Sequence, residues 1–292
     1  MLRLRERAAP YLLLLPVLLL MTVFVYLPIV ANIRFSLYRW SSLSPDWVFV
    51  GAANYIRLFN DPLFWVALWN NILYAAISLV VQVGFALVLA AILESPLFSR
   101  RLAGFFRVAL FIPSILPITV IGILWQLIYQ PAFGLLNAAL EGVGLGNLSR
   151  AWLGEEGSAM LSVIAVSQWQ WTGYITVLFI VAIRAIPRDL YEAAEIDGAG
   201  LVRQFFAITV PSVRQTTFVM TMITIFGAIK VFDIVWIMTG GGPNDSSHTL
   251  GTYMYRSAFQ TDAVGYGAAV AVVMFALSSV FGLLNLWLQR RG

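Results

Sequence analysis

Five stretches of the chain carry no charged residue: 8–33, 62–93, 108–140, 157–183 and 263–289. A sixth, 215–238, is interrupted only by Lys230 and Asp233. Apolar residues occupy most positions of the helical turn in these stretches, so little polar face is left to meet water. About 20 such residues carry a helix across a bilayer. The pattern predicts an all-α membrane protein with six spans, their cores at 11–30, 68–93, 108–129, 160–183, 218–238 and 267–288. A barrel would show segments of roughly ten residues with alternating polarity. These runs are too long and too uniformly apolar for that.

Composition agrees. Sixty per cent of the 292 residues are hydrophobic and 11% are charged, with a mean hydropathy of +0.85. Soluble domains run near a quarter charged. Arg3, Arg5 and Arg7 precede the first run, as in a signal peptide. The run is longer than a signal core and no small-x-small cleavage site follows, which predicts an uncleaved first helix. The chain has no cysteine, so disulfides and thiolate metal sites are excluded, and its single histidine, His248, has no second ligand at a metal spacing. His248 is expected on the surface of a glycine-rich loop.

The net charge of +4 has a location. Twelve arginines (3, 5, 7, 100, 101, 107, 184, 188, 203, 214, 290 and 291) fall at the termini and in the loops on their side of a six-span topology. Five (34, 39, 57, 150 and 256) fall on the other side. Positive charge accumulates on the cytoplasmic side, which predicts both termini and the 185–216 loop on the cytoplasmic side. The outside loops are then 31–67, about 130–159 and 239–266. Arginines scattered at span ends do not form a nucleic-acid surface.

The 185–216 loop reads "AIPRDLYEAAEIDGAGLVRQFFAITVPSVRQTT". Pro187 suits a first helical turn, and Asp189 and Glu192 suit the N-terminal dipole. Gly198 falls where a helix over 188–196 needs a left-handed cap. Leu190, Ala193 and Ala194 share one face at i, i+3, i+4 spacing. The spacing predicts a short helix outside the bilayer with one small apolar face. A second amphipathic stretch, 201–208, stops before Pro211.

Polar residues inside the spans are few. Pro113 and Pro117 in the third span each remove a helical hydrogen bond, and freed carbonyls survive at membrane depth only when buried in protein or lining a cavity. A packing kink and a pathway element both fit. The fourth span opens "SQWQWTGY", with Ser167, Trp169, Gln170, Trp171 and Tyr174 within two turns. Indole and phenol rings belong to the interfacial belt, but a buried amide such as Gln170 needs partners. Aromatic faces with amide and hydroxyl groups also suit a sugar. Lys230 and Asp233, at i, i+3, read either as pathway residues or as an internal ion pair.

Glu-Ala-Ala at 192–194, three residues, Gly198, nine residues and then Ile208-Thr-Val-Pro211 resemble the EAA loop of permease subunits in binding-protein-dependent ABC importers. Val210 departs from the leucine that the family prefers. "FVGAANYIRLFNDPLFW" (49–65), "FIPSILP" (111–117) and "FDIVWIMTGGGPN" (232–244) resemble its carbohydrate-uptake branch, the maltose and glycerol-3-phosphate type permeases. The resemblance implies residues 1–66 as the first helix and first outer loop, and 67–292 as a five-helix permease core. It implies a coupling helix that docks on the ATPase, with Leu190, Glu192, Ala193, Ala194, Asp197, Gly198 and Pro211 serving it. It places Ser114, Ser167, Trp169, Gln170 and Tyr174 near the sugar pathway, with Lys230 and Asp233 as further candidates. Implied partners are a second, related six-helix permease in a heterodimer, a dimer of cytoplasmic ATPase subunits, an extracytoplasmic substrate-binding protein and a carbohydrate. The glycine-rich 239–266 loop reads as a plain surface loop or, alternatively, as a contact for the binding protein. A lone Lys230 beside Asp233 favours a neutral sugar over a phosphate ester.

The chain has no G-x-x-x-x-G-K-[S/T] phosphate loop. It is expected to bind no cofactor, with ATP-Mg held by the partner ATPase, and to be no enzyme. A stand-alone secondary transporter or channel is the alternative. That alternative would predict an internal repeat and several intramembrane carboxylates, of which only Asp233 is found. A membrane enzyme would need clustered His, Cys or carboxylates in the spans.

Overall fold

The computed structural model describes residues 13–43 and 46–291, and of these every side chain but those of Arg290 and Arg291. Arg3, Arg5, Arg7, the first two positions of the 11–30 core and the side chains of Arg290 and Arg291 lie outside the described residues. The described chain is helical apart from loops and one pair of two-residue strands. In order, the main helices are α1 (Leu13–Ser36), α2 (Ala53–Asn60), α3 (Pro62–Glu94), α4 (Arg100–Ile115), α5 (Ile118–Ile128), α6 (Leu135–Gly142), α7 (Glu156–Arg184), α8 (Arg188–Ile196), α9 (Arg214–Ile229), α10 (Asp233–Met238), α11 (Leu250–Tyr255) and α12 (Val264–Arg291), with shorter helical segments Leu201–Gln204, Phe205–Thr209 and Val210–Ser212 between α8 and α9.

Among the described residues, four helices are long and apolar enough to cross a membrane: α1, α3, α7 and α12 up to Gln289. The expected third span is a bent pair, α4 and α5, whose axes differ by 100°. Its cause is local. Pro117 has no N–H to continue the ladder, and the residue before a proline is pushed out of the helical region. Leu116 accordingly sits at φ −71°, ψ 139°. The expected fifth span, 218–238, is not one continuous helix. It divides into α9, of 16 residues, and α10, of 6, on either side of Lys230–Phe232.

The chain divides into two compact units. Among the described residues, those up to Asp61 with 253–275 form one, and 62–252 with 276–291 the other. In the first unit, β1 (Tyr38–Arg39) and β2 (Val48–Phe49) pair antiparallel. Asn54 Nδ2 donates to Ser36 O at 2.8 Å and Tyr38 O at 3.0 Å. Asp262 receives the Ser41 and Ser42 hydroxyls and the Ser42 and Leu43 N–H groups. These donors hold its carboxyl well below the usual range, at about 2.

The second unit is centred on α7. Its N-terminal half packs Met160, Val163, Ile164 and Val166 with Tyr74, Ile121, Ala228, Ile234 and Val235. Its C-terminal half packs Ile175, Phe179, Ile180 and Ile183 with Val83, Ala86, Leu87, Ala90 and Leu93 of α3. Gly173 lets α4 lie directly on α7: a Cβ there would stand 1.7 Å from Leu110 O.

Candidate functional site

The structure forms α8 with the bounds that the sequence predicts, Arg188–Ile196. Pro187 stands at the N-cap, just ahead of the first turn. Gly198 has φ +74°. Its N–H donates to Glu195 O at 3.0 Å, and Ala199 N–H reaches back to Ala194 O at 2.8 Å. This pair of bonds is the Schellman cap, which a glycine in the left-handed region permits. Leu190, Glu192, Ala193 and Asp197 are exposed, while Ala194 is half-buried. Ile196, which the sequence reading passed over, is 87% exposed. The free apolar face continues into the next stretch through Val202 and Phe206. Pro211 is exposed in a short turn, Val210–Ser212.

The other side of the loop is anchored. Tyr191 Oη pairs with Thr209 Oγ1 at 2.8 Å. Ile186 and Val213 are buried with Phe179 and Leu93, and Tyr191, Phe205 and Ile208 pack against that cluster. Glu94 at the end of α3 accepts from Arg107 of α4 at 2.5 Å and from Arg184 of α7 at 3.0 Å. α8 is therefore joined to the end of α7 and the end of α3 by packed side chains, and Glu94 ties α4 to the same base. The polar contacts at this base are partly exposed and worth about 0–1 kcal/mol each, so packing carries most of the link.

The structure brings together only part of the candidate pathway. Ser167 and Gln170 are 1% and 2% exposed, turned into the unit. Ser167 Oγ pairs with Tyr74 Oη, and Gln170 Oε1 is buried with no hydrogen-bond partner among the described residues. Tyr174 is half-buried and stacks on Phe111 at 6.4 Å. Trp169 and Trp171 point out, at 41% and 38% exposure, and Trp169 packs edge-on to Trp125 at 5.5 Å. Ser114 is half-buried and donates to Phe111 O at 2.7 Å, within its own helix. The fourth-span candidates thus occupy two faces of α7.

Lys230 and Asp233 are both exposed, and no ion pair joins them among the described residues. They flank the break between α9 and α10. Lys230 is the C-cap of one and Asp233 opens the other, the ends at which each charge suits the helix dipole. The sequence reading missed what holds this break. Asn71 Nδ2 donates to Ala228 O at 2.5 Å and Ile229 O at 3.3 Å, while Asn71 Oδ1 accepts from Leu250 N at 2.7 Å. Thr249 Oγ1 donates to Val231 O at 2.9 Å. Asn70 Nδ2 donates to Ser246 O and His248 O at 2.7 and 2.8 Å. Gln126 Nε2 donates to Ile237 O at 2.8 Å. Amides in "WNN" and "WQL" were the available signal: buried amides in an apolar helix need partners.

Asn71→Leu is expected to orphan the buried Leu250 N–H and to take a donor from the Ala228 and Ile229 carbonyls, of which Ala228 O keeps a long bond from Val231 N–H at 3.5 Å; a buried group left unpaired costs about 1–3 kcal/mol. Thermal unfolding of the detergent-solubilised protein should show a clearly lowered midpoint. An unchanged midpoint would mean that the break holds without this amide.

His248 is not a surface residue. It is 2% exposed, with Nδ1 3.0 Å from Thr252 Oγ1 and Nε2 3.3 Å from Asp245 Oδ1. Its ring fills the space that a side chain at Gly241 would take, since a Cβ there would lie 2.2 Å from the imidazole. The glycine-rich loop is thus folded around a buried histidine.

Residues 82–291 match the family described as "Binding-protein-dependent transport system inner membrane component". The chain is 48% identical over 288 residues to "Probable ABC transporter permease protein YurN" of Bacillus subtilis, covering 99% of this chain and 98% of that protein. It is 31% identical to "Trehalose/maltose transport system permease protein MalF" of Thermococcus litoralis, covering 99% and 96%. Among solved structures, a chain of the "bacterial ABC transporter involved in the import of the acidic polysaccharide alginate" superposes with a TM-score of 0.86. That likeness covers 99% and 98% of the two chains at 21% identity and bears on the fold alone. The family match over residues 82–291 and the full-length relatives assign the chain to the inner-membrane permease components of binding-protein-dependent ABC transport systems.

Proposed function

We propose that this chain is one half of the membrane channel of an ATP-driven importer for a carbohydrate. In this reading it crosses the membrane six times with both termini in the cytoplasm, the α4–α5 pair and the α9–α10 pair each serving as one broken crossing. The arginine asymmetry supports that orientation. The observation that carries the reading is α8: a capped helix with an exposed apolar face, whose opposite side is packed into the ends of α3 and α7. A helix of this kind suits a separate ATPase dimer, which would hold ATP-Mg. A second, related permease would complete the channel, and an extracytoplasmic binding protein would deliver substrate.

The saccharide class rests on the relatives. Permeases named for trehalose/maltose, diacetylchitobiose, arabinooligosaccharides and lactose align over 94% or more of this chain. The inward amide and hydroxyl of Gln170 and Ser167, with the aromatic Tyr174 beside them, supply groups that recognise sugar hydroxyls and C–H faces. Glycerol-3-phosphate fits less well, because Lys230 is the single cation within the six apolar span cores of the sequence and Asp233 lies close to it in sequence.

Reconstitution in liposomes tests the reading. The chain with its partner permease, ATPase and binding protein is expected to import a labelled neutral saccharide only with ATP on the ATPase side. Uptake by the chain alone, without ATPase, would establish the stand-alone transporter instead.

A further inference from the structure

One groove outside the pathway candidates has unused chemistry. It lies between the first turns of α3, the start of α7 and the 244–246 turn, and encloses about 650 Å³. That volume falls within the roughly 300–1,000 Å³ of ordinary ligand sites. Trp65 and Trp69 form one wall, four residues apart on α3 and therefore on the same face. They are 51% and 63% exposed. Glu156, Asn244, Asp245 and Ser246 also line the groove.

The polar wall is built. Asn244 and Asp245 are successive left-handed residues, at φ 46° and 61°, a conformation that Asn and Asp tolerate best among residues with a Cβ. Asn244 Nδ2 donates to Glu156 Oε1 at 2.7 Å, which fixes the amide and the carboxylate against each other. Asn70 holds the turn from beneath through Ser246 O and His248 O. Ser246 Oγ is buried with no hydrogen-bond partner among the described residues, although a hydroxyl both donates and accepts.

Two exposed indoles, two carboxylates and an amide lining one groove match a saccharide. Ring C–H faces lie on indoles, and vicinal hydroxyls donate to carboxylates. Among the described residues no lysine or arginine lines the groove, so an anionic sugar would meet like charge. Indoles that served only as a lipid-facing belt would have no need of acidic groups in the same groove.

We propose that this groove is a saccharide subsite separate from the pathway residues, which receives a neutral oligosaccharide before it enters the spans. The proposal rests on the carbohydrate reading above.

The test uses the purified assembly with its partner permease and ATPase. The probes are labelled maltotriose, lactose, diacetylchitobiose and arabinotriose, with trigalacturonate as the anionic comparison. Liposome uptake with the binding protein present identifies a neutral probe that is imported. Equilibrium dialysis without the binding protein then measures its affinity for the assembly. Trp65→Leu and Trp69→Leu keep an apolar surface and remove stacking. Each is expected to weaken binding of that probe about five- to tenfold. Glu156→Gln should weaken it as well and reduce the discrimination against trigalacturonate.

Unchanged affinity in both tryptophan variants would remove the subsite while leaving the importer reading intact. Weakened capture of the binding protein by Trp69→Leu, with probe affinity unchanged, would overturn the subsite in favour of a protein-docking surface, where a basic side chain meets the same indoles and acids. Uptake of no neutral probe would overturn the carbohydrate reading and the subsite together.

Discussion

Gly173→Val is expected to abolish accumulation of folded protein in the membrane. A Cβ at this position would lie 1.7 Å from Leu110 O and 2.3 Å from Leu110 C. Both are backbone atoms of α4, so no side chain can swing aside. Either α4 moves away from α7 or the substitution is not accommodated. Separation would open the contact of Phe111 with Tyr174 and strain the bridge from Arg107 to Glu94. Overpacking in a well-filled interior costs about 1–3 kcal/mol and sometimes more. A clash with backbone belongs at or beyond the top of that range, against a total stability of about 5–15 kcal/mol. Gly104→Ala is the control on α4, since nothing lies within 4 Å of a Cβ there. Membrane yield and thermal midpoint in detergent measure the outcome. A Gly173→Val protein that accumulates and melts like the parent would show that α4 does not lie against α7 at this point.

Leu190→Asp and Ile196→Asp are each expected to abolish capture of the ATPase while leaving the protein inserted. Both side chains are exposed, at 49% and 87%, so the folded permease has little to lose by either change. In a docked complex the same positions would place a charge in a desolvated apolar contact. Central interface residues are worth about 2 kcal/mol or more, a loss of roughly 30-fold in affinity. Gly198→Val acts differently. It keeps the docking face but disfavours the φ of +74° that ends the helix, by roughly 1 kcal/mol, and should impair coupling more than capture. Exposed Gln215→Ala is the control. Pull-down of the ATPase and substrate-stimulated hydrolysis by the reconstituted complex are the measurements. Normal values for both in all three variants would end the coupling-helix reading.

Much of this protein is legible in its amino-acid order, because the properties concerned are local. A helix that spans a bilayer must be apolar throughout, so length and composition are enough to find α1, α3, α7 and α12. The 100° bend between α4 and α5 follows from Pro117 and the restriction that it places on Leu116. The bounds of α8 follow from Pro187 and Gly198, whose effect reaches only one turn.

The tertiary structure decided the rest, for reasons of sequence distance. The break at Lys230–Phe232 is stabilised by Asn71, and the two lie more than 150 residues apart in the chain, so the apolar run around it reads as one helix. His248 looks like a loop residue until the space above Gly241 and the hydroxyl of Thr252 are seen to receive its ring. Ser167 and Trp169 stand two residues apart in a stretch that reads as one polar-aromatic patch. Helical rotation places one inside and the other outside, because the packing of α3 and α4 on α7 determines which face is covered. Periodicity finds that a helix has faces; only its neighbours determine which face is the interior.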